Sequence, residues 1–162
     1  MKIVITGTTP DNKATIAHHR EIPKAELEVL DSDSAGNPSV VMWRGQTPVQ
    51  VPYQCESTEY STLEPAKFSL AEPDMPKAGE YQFSCALIPP GFDAPMHATE
   101  AADNIIILSG EVWMIMEDGT EVHLQAGDCV VQHGTKHGWH NRGRENCWLV
   151  AVVMGLQQST DE

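Results

Sequence analysis

From Glu80 onward, turn-forming residues interrupt the chain about every ten positions, and short runs rich in β-branched and aromatic side chains lie between them. YQFSCALI stops at Pro89-Pro90-Gly91, and ADNIIILS stops at Gly110. EVWMIME turns at Asp118-Gly119 and returns as TEVHL, after which come DCVVQ, HGWHN and NCWLVAVVM. An Asp-Gly pair between two strand patterns is a strong hairpin signal, because both residues accept the left-handed backbone that matches strand twist. About seven short, evenly spaced strands predict a sandwich, jelly roll or barrel. No window of helical length carries the 3.6-residue period of an amphipathic helix, so an all-β chain with few or no helices is expected.

The first half differs in character. All 11 prolines lie at or before Pro95, whereas five of the 7 histidines fall between His97 and His140. Residues 2–6 and 14–18 read as strands around a turn at Pro10–Asn12, and 21–38 as a loop. Residues 39–44 and 47–53 read as a strand pair around Gly45–Gln46, with Pro48 and Pro52 confining the second to an edge. Residues 55–79 are expected to be turns, with one helical turn near Leu63–Lys67. Residues 1–79 are thus expected to supply strands and loops that pack on a core formed by 80–156, in one structural domain of 162 residues.

Lys plus Arg total 10 against 23 Asp plus Glu, a net charge of −13. That balance argues against nucleic acid, which needs cations on its phosphates, and against an anionic membrane surface. The N-terminus lacks the apolar core of a signal peptide and no run reaches membrane-span length, so a cytoplasmic protein is expected. Cys55, Cys85, Cys129 and Cys147 stand far apart without a Cys-x-x-Cys pair, which favours free buried thiols over disulfides or a zinc–thiolate site.

Chemistry concentrates between Gly91 and Asn141. On extended chain, His97, Thr99 and Asp103 share a parity that Ile105 and Ile107 continue, and His137, Trp139 and Asn141 share another. If both faces line one barrel, His97, Asp103 and His137 converge. Two imidazoles and a carboxylate can bind a divalent transition metal, or can form an acid–base set without one.

These two stretches resemble the motifs of the cupin superfamily. The first cupin motif runs Gly, five residues, His-x-His, a short gap, Glu, six residues, Gly. Gly91, His97, Thr99, Asp103 and Gly110 follow that spacing. The second runs from a Gly through Pro-x-Gly to His and Asn. Gly127, Gly134, His137 and Asn141 fit it one residue short, with Gln132 in the proline position. The resemblance covers about 80–154. It implies an antiparallel jelly-roll barrel with an interior pocket at one mouth, N-terminal edge strands and a homodimer.

The usual cupin metal set is three His and one Glu, and here Thr99 and Asp103 replace one of each. Two outcomes are open. Fe, Mn or Zn can sit on His97, Asp103 and His137 as a 2-His-1-carboxylate face completed by waters, or Glu100, His133 or His140 can swing in instead. Alternatively the same residues form a metal-free polar cluster, in which Asp103 orients one imidazole and the other acts as base. The expected pocket wall is Met96, Thr99, Ile105, Trp113, Met114 and Trp139, around the catalytic candidates His97, Asp103 and His137. His123 is expected on an exposed face. Only Lys136, Arg142 and Arg144 follow residue 78 as cations, and no phosphate-binding loop is present, so the expected partner is a small aromatic or polyketide-like molecule. The function classes that remain are a lyase, dehydratase, decarboxylase or isomerase, a metal-dependent dioxygenase, a ligand-binding or sensor module, and a fold whose interior is simply packed.

Overall fold

The computed structural model describes residues 2–9, 11, 13–21, 39–47 and 75–156, and the description below is confined to them. They form eleven strands: β1 (Lys2–Thr8), β2 (Ala14–Glu21), β3 (Ser39–Gln46), β4 (Glu80–Ile88), β5 (Asp93–His97), β6 (Ala101–Ser109), β7 (Glu111–Met116), β8 (Glu121–Gln125), β9 (Cys129–His133), β10 (His137–His140) and β11 (Cys147–Gly155). No helix occurs among the described residues. β1 and β2 pair with each other as a two-stranded sheet. The rest divide into a four-stranded sheet, β5-β10-β7-β8, and a five-stranded sheet, β3-β4-β11-β6-β9, in which every strand pairing is antiparallel. The jelly-roll expectation for 80–156 is met, and an N-terminal strand does take an edge of the larger sheet.

Two details depart from the sequence reading. Gly45 and Gln46 do not turn the chain; they continue β3, which pairs with β4. Its expected partner, beyond Thr47, lies outside the described residues, as do the loop at 22–38 and the helical turn near 63–67. The stretch carrying His97, Thr99 and Asp103 is also not one strand. β5 ends at His97 in the four-stranded sheet, and β6 begins at Ala101 in the five-stranded one. Residues 98–100 are the corner that carries the chain between sheets. Pro95 is tolerated because β5 is an edge strand.

The core lies between the sheets. Ile105, Ile107, Val112, Met114, Leu149 and Ala151 form its centre. The turn from β6 to β7 packs so closely on the start of β11 that a Cβ on Gly110 would come within 2.5 Å of the Asn146 carbonyl oxygen, and Gly110 has φ +73°. Glycine is required there for both reasons. The β7–β8 hairpin turns where the Asp-Gly pair predicts, with the Thr120 N–H donating to Asp118 Oδ1 at 2.9 Å.

Candidate functional site

A pocket of about 120 Å³ opens into the barrel between the two sheets, well above the space one water needs. The interior is therefore not simply packed. His97 comes from the end of β5, Thr99 from the corner, Asp103 and Ile105 from β6, and His137 and Trp139 from β10. All six were expected on its wall. β10 lies beside β5 with His137 opposite His97, which brings the two imidazoles to 4.5 Å between ring centroids.

Three expected wall residues are elsewhere. Met96 is 44% exposed, because the alternation of β5 points it away from His97. Trp113 faces outward on β7, stacked on His123 at 4.0 Å with the Arg142 guanidinium 5.6 Å from its ring. Met114 faces inward but is consumed by the core and does not reach the pocket. His123 is bonded to Glu111 on the exposed face, as its parity suggests. His133 and Glu100 are exposed, and His140 accepts from Arg142, so none of these three lines the pocket.

Backbone carbonyls orient both imidazoles. His97 Nδ1 lies 2.8 Å from the Pro95 oxygen, and His137 Nδ1 lies 2.9 Å from the Thr135 oxygen. A carbonyl only accepts, so these two contacts are hydrogen bonds in the tautomer with the proton on Nδ1, which in a neutral ring leaves the lone pair on Nε2. Asp103 therefore does not orient either ring, contrary to the arrangement expected from sequence. Gln132, 2% exposed, holds the Thr135 carbonyl that faces His137, its amide nitrogen donating to that oxygen at 2.6 Å; the same nitrogen lies 3.0 Å from His137 Nδ1, a hydrogen bond only in the tautomer with the proton on Nε2. Burial holds the His137 pKa below the ordinary histidine value, the bond to Thr135 works the other way, and His97 adds to the lowering.

Asp103 is buried, and its Oδ1 has no hydrogen-bond partner. Desolvation pushes its carboxyl up to about 6, against smaller lowering effects from neighbouring Thr99 and His97. Thr99 Oγ1 is also buried and lies beside the carboxyl, close enough to lower its pKa as a hydrogen-bonding neighbour, though not in good hydrogen-bond geometry. A buried carboxyl with an unpartnered oxygen, near its own pKa, is an unusual arrangement to retain unless a ligand completes it.

The fit to a metal ion is incomplete. Nδ1 anchored on a carbonyl with Nε2 free is how metal-binding histidines are commonly held. Among the described residues, however, no group of three or more His, Cys, Asp or Glu is placed to hold a metal ion. The expected His97–Asp103–His137 ligand set for Fe, Mn or Zn is thus not assembled, since Asp103 sits on the opposite sheet with a side chain one methylene shorter than the usual Glu.

Sequence reasoning missed the wall contributed by β4 and β11. Gln82 and Ser84 are buried and line the pocket alongside Ala86 and Ile88, while Phe83 on the other face is 37% exposed. Among the described residues, no Lys or Arg lines the pocket. Lys136 pairs with Glu117 at 2.6 Å, and Arg142 makes a two-point pair with Glu121 at 2.6 and 2.7 Å. Cys85 and Cys147 are buried free thiols, both pushed up to about 11 chiefly by burial, whereas Cys129 is exposed. No helix among the described residues is long and apolar enough to cross a membrane.

Residues 85–153 match the family model described as "Cupin domain". Over 111 residues the chain is 31% identical to "Phomopsin biosynthesis cluster protein C'" of Diaporthe leptostromiformis, covering 68% of this chain and 56% of that protein. It is 35% identical over 52 residues to a "Cupin-domain-containing oxidoreductase" of Hypocrea virens, covering 32% of this chain and 27% of that one. The chain thus spans about half or less of the length of these relatives. A Klebsiella pneumoniae protein with a double-stranded β-helix domain superposes with a TM-score of 0.43 at 29% identity, covering 46% of this chain and 66% of that one.

Proposed function

Since this chain belongs to the cupin superfamily, with its cupin domain at residues 85–153, we propose that its pocket moves a proton beside a carbonyl of a small, uncharged organic substrate. The supporting observation is the buried Asp103 carboxyl, whose Oδ1 has no hydrogen-bond partner, in a pocket shared with two imidazoles whose Nδ1 atoms face backbone carbonyls. His137 stays neutral at neutral pH, as its lowered pKa requires, and so can accept a proton. Asp103, with a pKa of about 6, retains a protonated fraction that can donate. In the proton-transfer step, His137 Nε2 takes the proton from the carbon next to the carbonyl. The electron pair forms the enol double bond while Asp103 delivers its proton to the carbonyl oxygen. The enol O–H proton then returns to Asp103 while His137 gives its proton either to carbon, which yields an isomer, or to a β-hydroxyl, which leaves as water in a dehydration. Apolar walls, with no Lys or Arg among the described lining residues, favour an aromatic or polyketide-like substrate over a phosphate or carboxylate.

The test is hydrogen exchange in D₂O on a panel of small aryl ketones, followed by proton NMR. The wild-type chain should exchange the protons beside the carbonyl of at least one member, and Asp103→Asn should slow that exchange by about 10²–10⁴-fold. Asp103→Asn exchanging as fast as wild type, or no exchange across the panel, would contradict the assignment.

The proposed macromolecular partner is a second copy of the chain. In support, Phe83, Ile106, Val131 and Met154 are exposed together on the outer face of the five-stranded sheet, an apolar surface of the kind that marks an interface. Light scattering on the eluting protein should give twice the 17.8 kDa chain mass, and Val131→Lys should return it to one chain. A single-chain mass for the wild type would refute the pairing.

A further inference from the structure

Across the five-stranded sheet, Gln82 of β4 stands opposite Val153 of β11, which stands opposite Asp103 of β6. Directly opposed residues of a sheet point to the same face, and all three line the pocket. Adjacent strands lie about 4.8 Å apart, so Gln82 and Asp103 are separated by about 10 Å of sheet, with an apolar residue between them. The next row repeats the pattern, with Ser84 opposite Ala151 and Ala151 opposite Ile105. The pocket therefore has a second polar end. Gln82 is 8% exposed, and its amide oxygen has no hydrogen-bond partner. An unsatisfied buried carbonyl is costly to keep, and an apolar side chain of the same shape would remove that cost. It accepts and cannot donate, so the partner it lacks is a donor. With no Lys or Arg among the described lining residues to pair with an anion, a neutral hydroxyl is the donor that fits.

We propose that Gln82, supported by Ser84 on the same strand, anchors a hydroxyl at the end of the substrate remote from Asp103, His97 and His137. The substrate class becomes a flat or compact apolar molecule with two polar ends, one reacting at Asp103 and one held as a phenol or alcohol at Gln82. This rests on the proposal that the pocket receives a small organic substrate, and it adds the feature that selects among such molecules.

The test compares hydroquinone with 4-methylphenol, which differ by the second hydroxyl, in calorimetric titrations of the wild-type chain, Gln82→Met and Asp103→Asn. Wild type should bind hydroquinone about tenfold more tightly, the worth of one satisfied hydrogen bond. In Gln82→Met the ratio should fall to about one, while the melting temperature stays level or rises by about 2–4 °C as the orphaned amide is removed. A melting temperature that drops instead would mark Gln82 as a structural residue and overturn the proposal. In Asp103→Asn the ratio should persist even though both phenols bind more weakly. A ratio unchanged in Gln82→Met, with both phenols weakened by Asp103→Asn, would overturn the anchor and leave the acid–base site standing. A ratio that collapses in Gln82→Met while Asp103→Asn binds both phenols as wild type does would keep the anchor and remove the acid–base assignment. Failure of the wild type to bind either phenol at millimolar concentration would overturn the ligand class.

Discussion

Asp103→Asn should make the protein more stable at pH 8 and leave its stability nearly unchanged at pH 4, relative to the same offset between the two proteins. The folded-state pKa of Asp103 is about 6 against an ordinary value of 3.8. A raised carboxyl pKa means that the folded state binds the proton more tightly than the unfolded chain. Below about pH 4 both states are protonated and the carboxyl contributes no penalty. As pH rises from about 4 to about 6 the unfolded chain ionises first, so stability falls, and above about pH 6 the loss is complete. The difference of about two pKa units corresponds to about 3 kcal/mol. For a chain of this length that is a rise in melting temperature of about 6–12 °C in Asp103→Asn at pH 8, disappearing at pH 4. Thermal unfolding at the two pH values measures it. A variant equally or less stable than wild type at both would show that Asp103 is ionised and satisfied in the folded protein. The stabilised variant is also the one expected to lose proton transfer, because a group held at a cost for function is a group whose removal relieves strain.

Asn141→Ala should be the most damaging substitution near the site, although Asn141 touches no ligand in this account. Its side chain is fully buried. The amide nitrogen donates to the Ile88 carbonyl at 2.8 Å and to the Glu145 carbonyl at 2.9 Å, and its oxygen accepts from the Gly143 N–H at 2.9 Å. Its backbone N–H and carbonyl bond to Phe92 and Gly91. One residue thus ties the end of β4 and the Pro89–Phe92 turn to the 141–146 loop. Alanine would leave three backbone groups without their partners, at an expected loss of about 3–5 kcal/mol and a melting temperature lower by about 6–20 °C. Asn141→Asp should rescue little, since a carboxylate facing two carbonyl oxygens has no donor to offer. A loss under about 1 kcal/mol for alanine, or full rescue by aspartate, would contradict the clamp.

These two residues show how far the sequence could be read. The spacing that ends in Asn141 was visible and its inward parity was correct, but parity does not tell a pocket residue from a loop clamp. That distinction needs the 89–92 and 141–146 turns in place. His97, Thr99 and Asp103 were brought to one pocket by a parity count that assumed a single strand. The chain in fact switches sheets at 98–100, and the residues meet because the two sheets face each other. Met96 and Trp113 were misplaced because apolar side chains are assumed to point inward. Gln82 and Ser84 carried no pocket expectation because they lie outside the two motif stretches. β4 is buried on both faces: Gln82 and Ser84 line the pocket, Cys85 and Leu87 of the opposite parity are buried too, and Phe83 is partly exposed. A strand buried on both sides carries no alternation from which the pocket face can be read.

The central claim is a buried carboxyl in the barrel poised to exchange a proton near neutrality, and the most direct measurement is the ¹³C carboxyl shift of Asp103 followed by NMR from pH 3 to pH 9. The account predicts a midpoint near 6, absent in Asp103→Asn. A midpoint at or below about 4, the ordinary range of an exposed or paired aspartate, would contradict it.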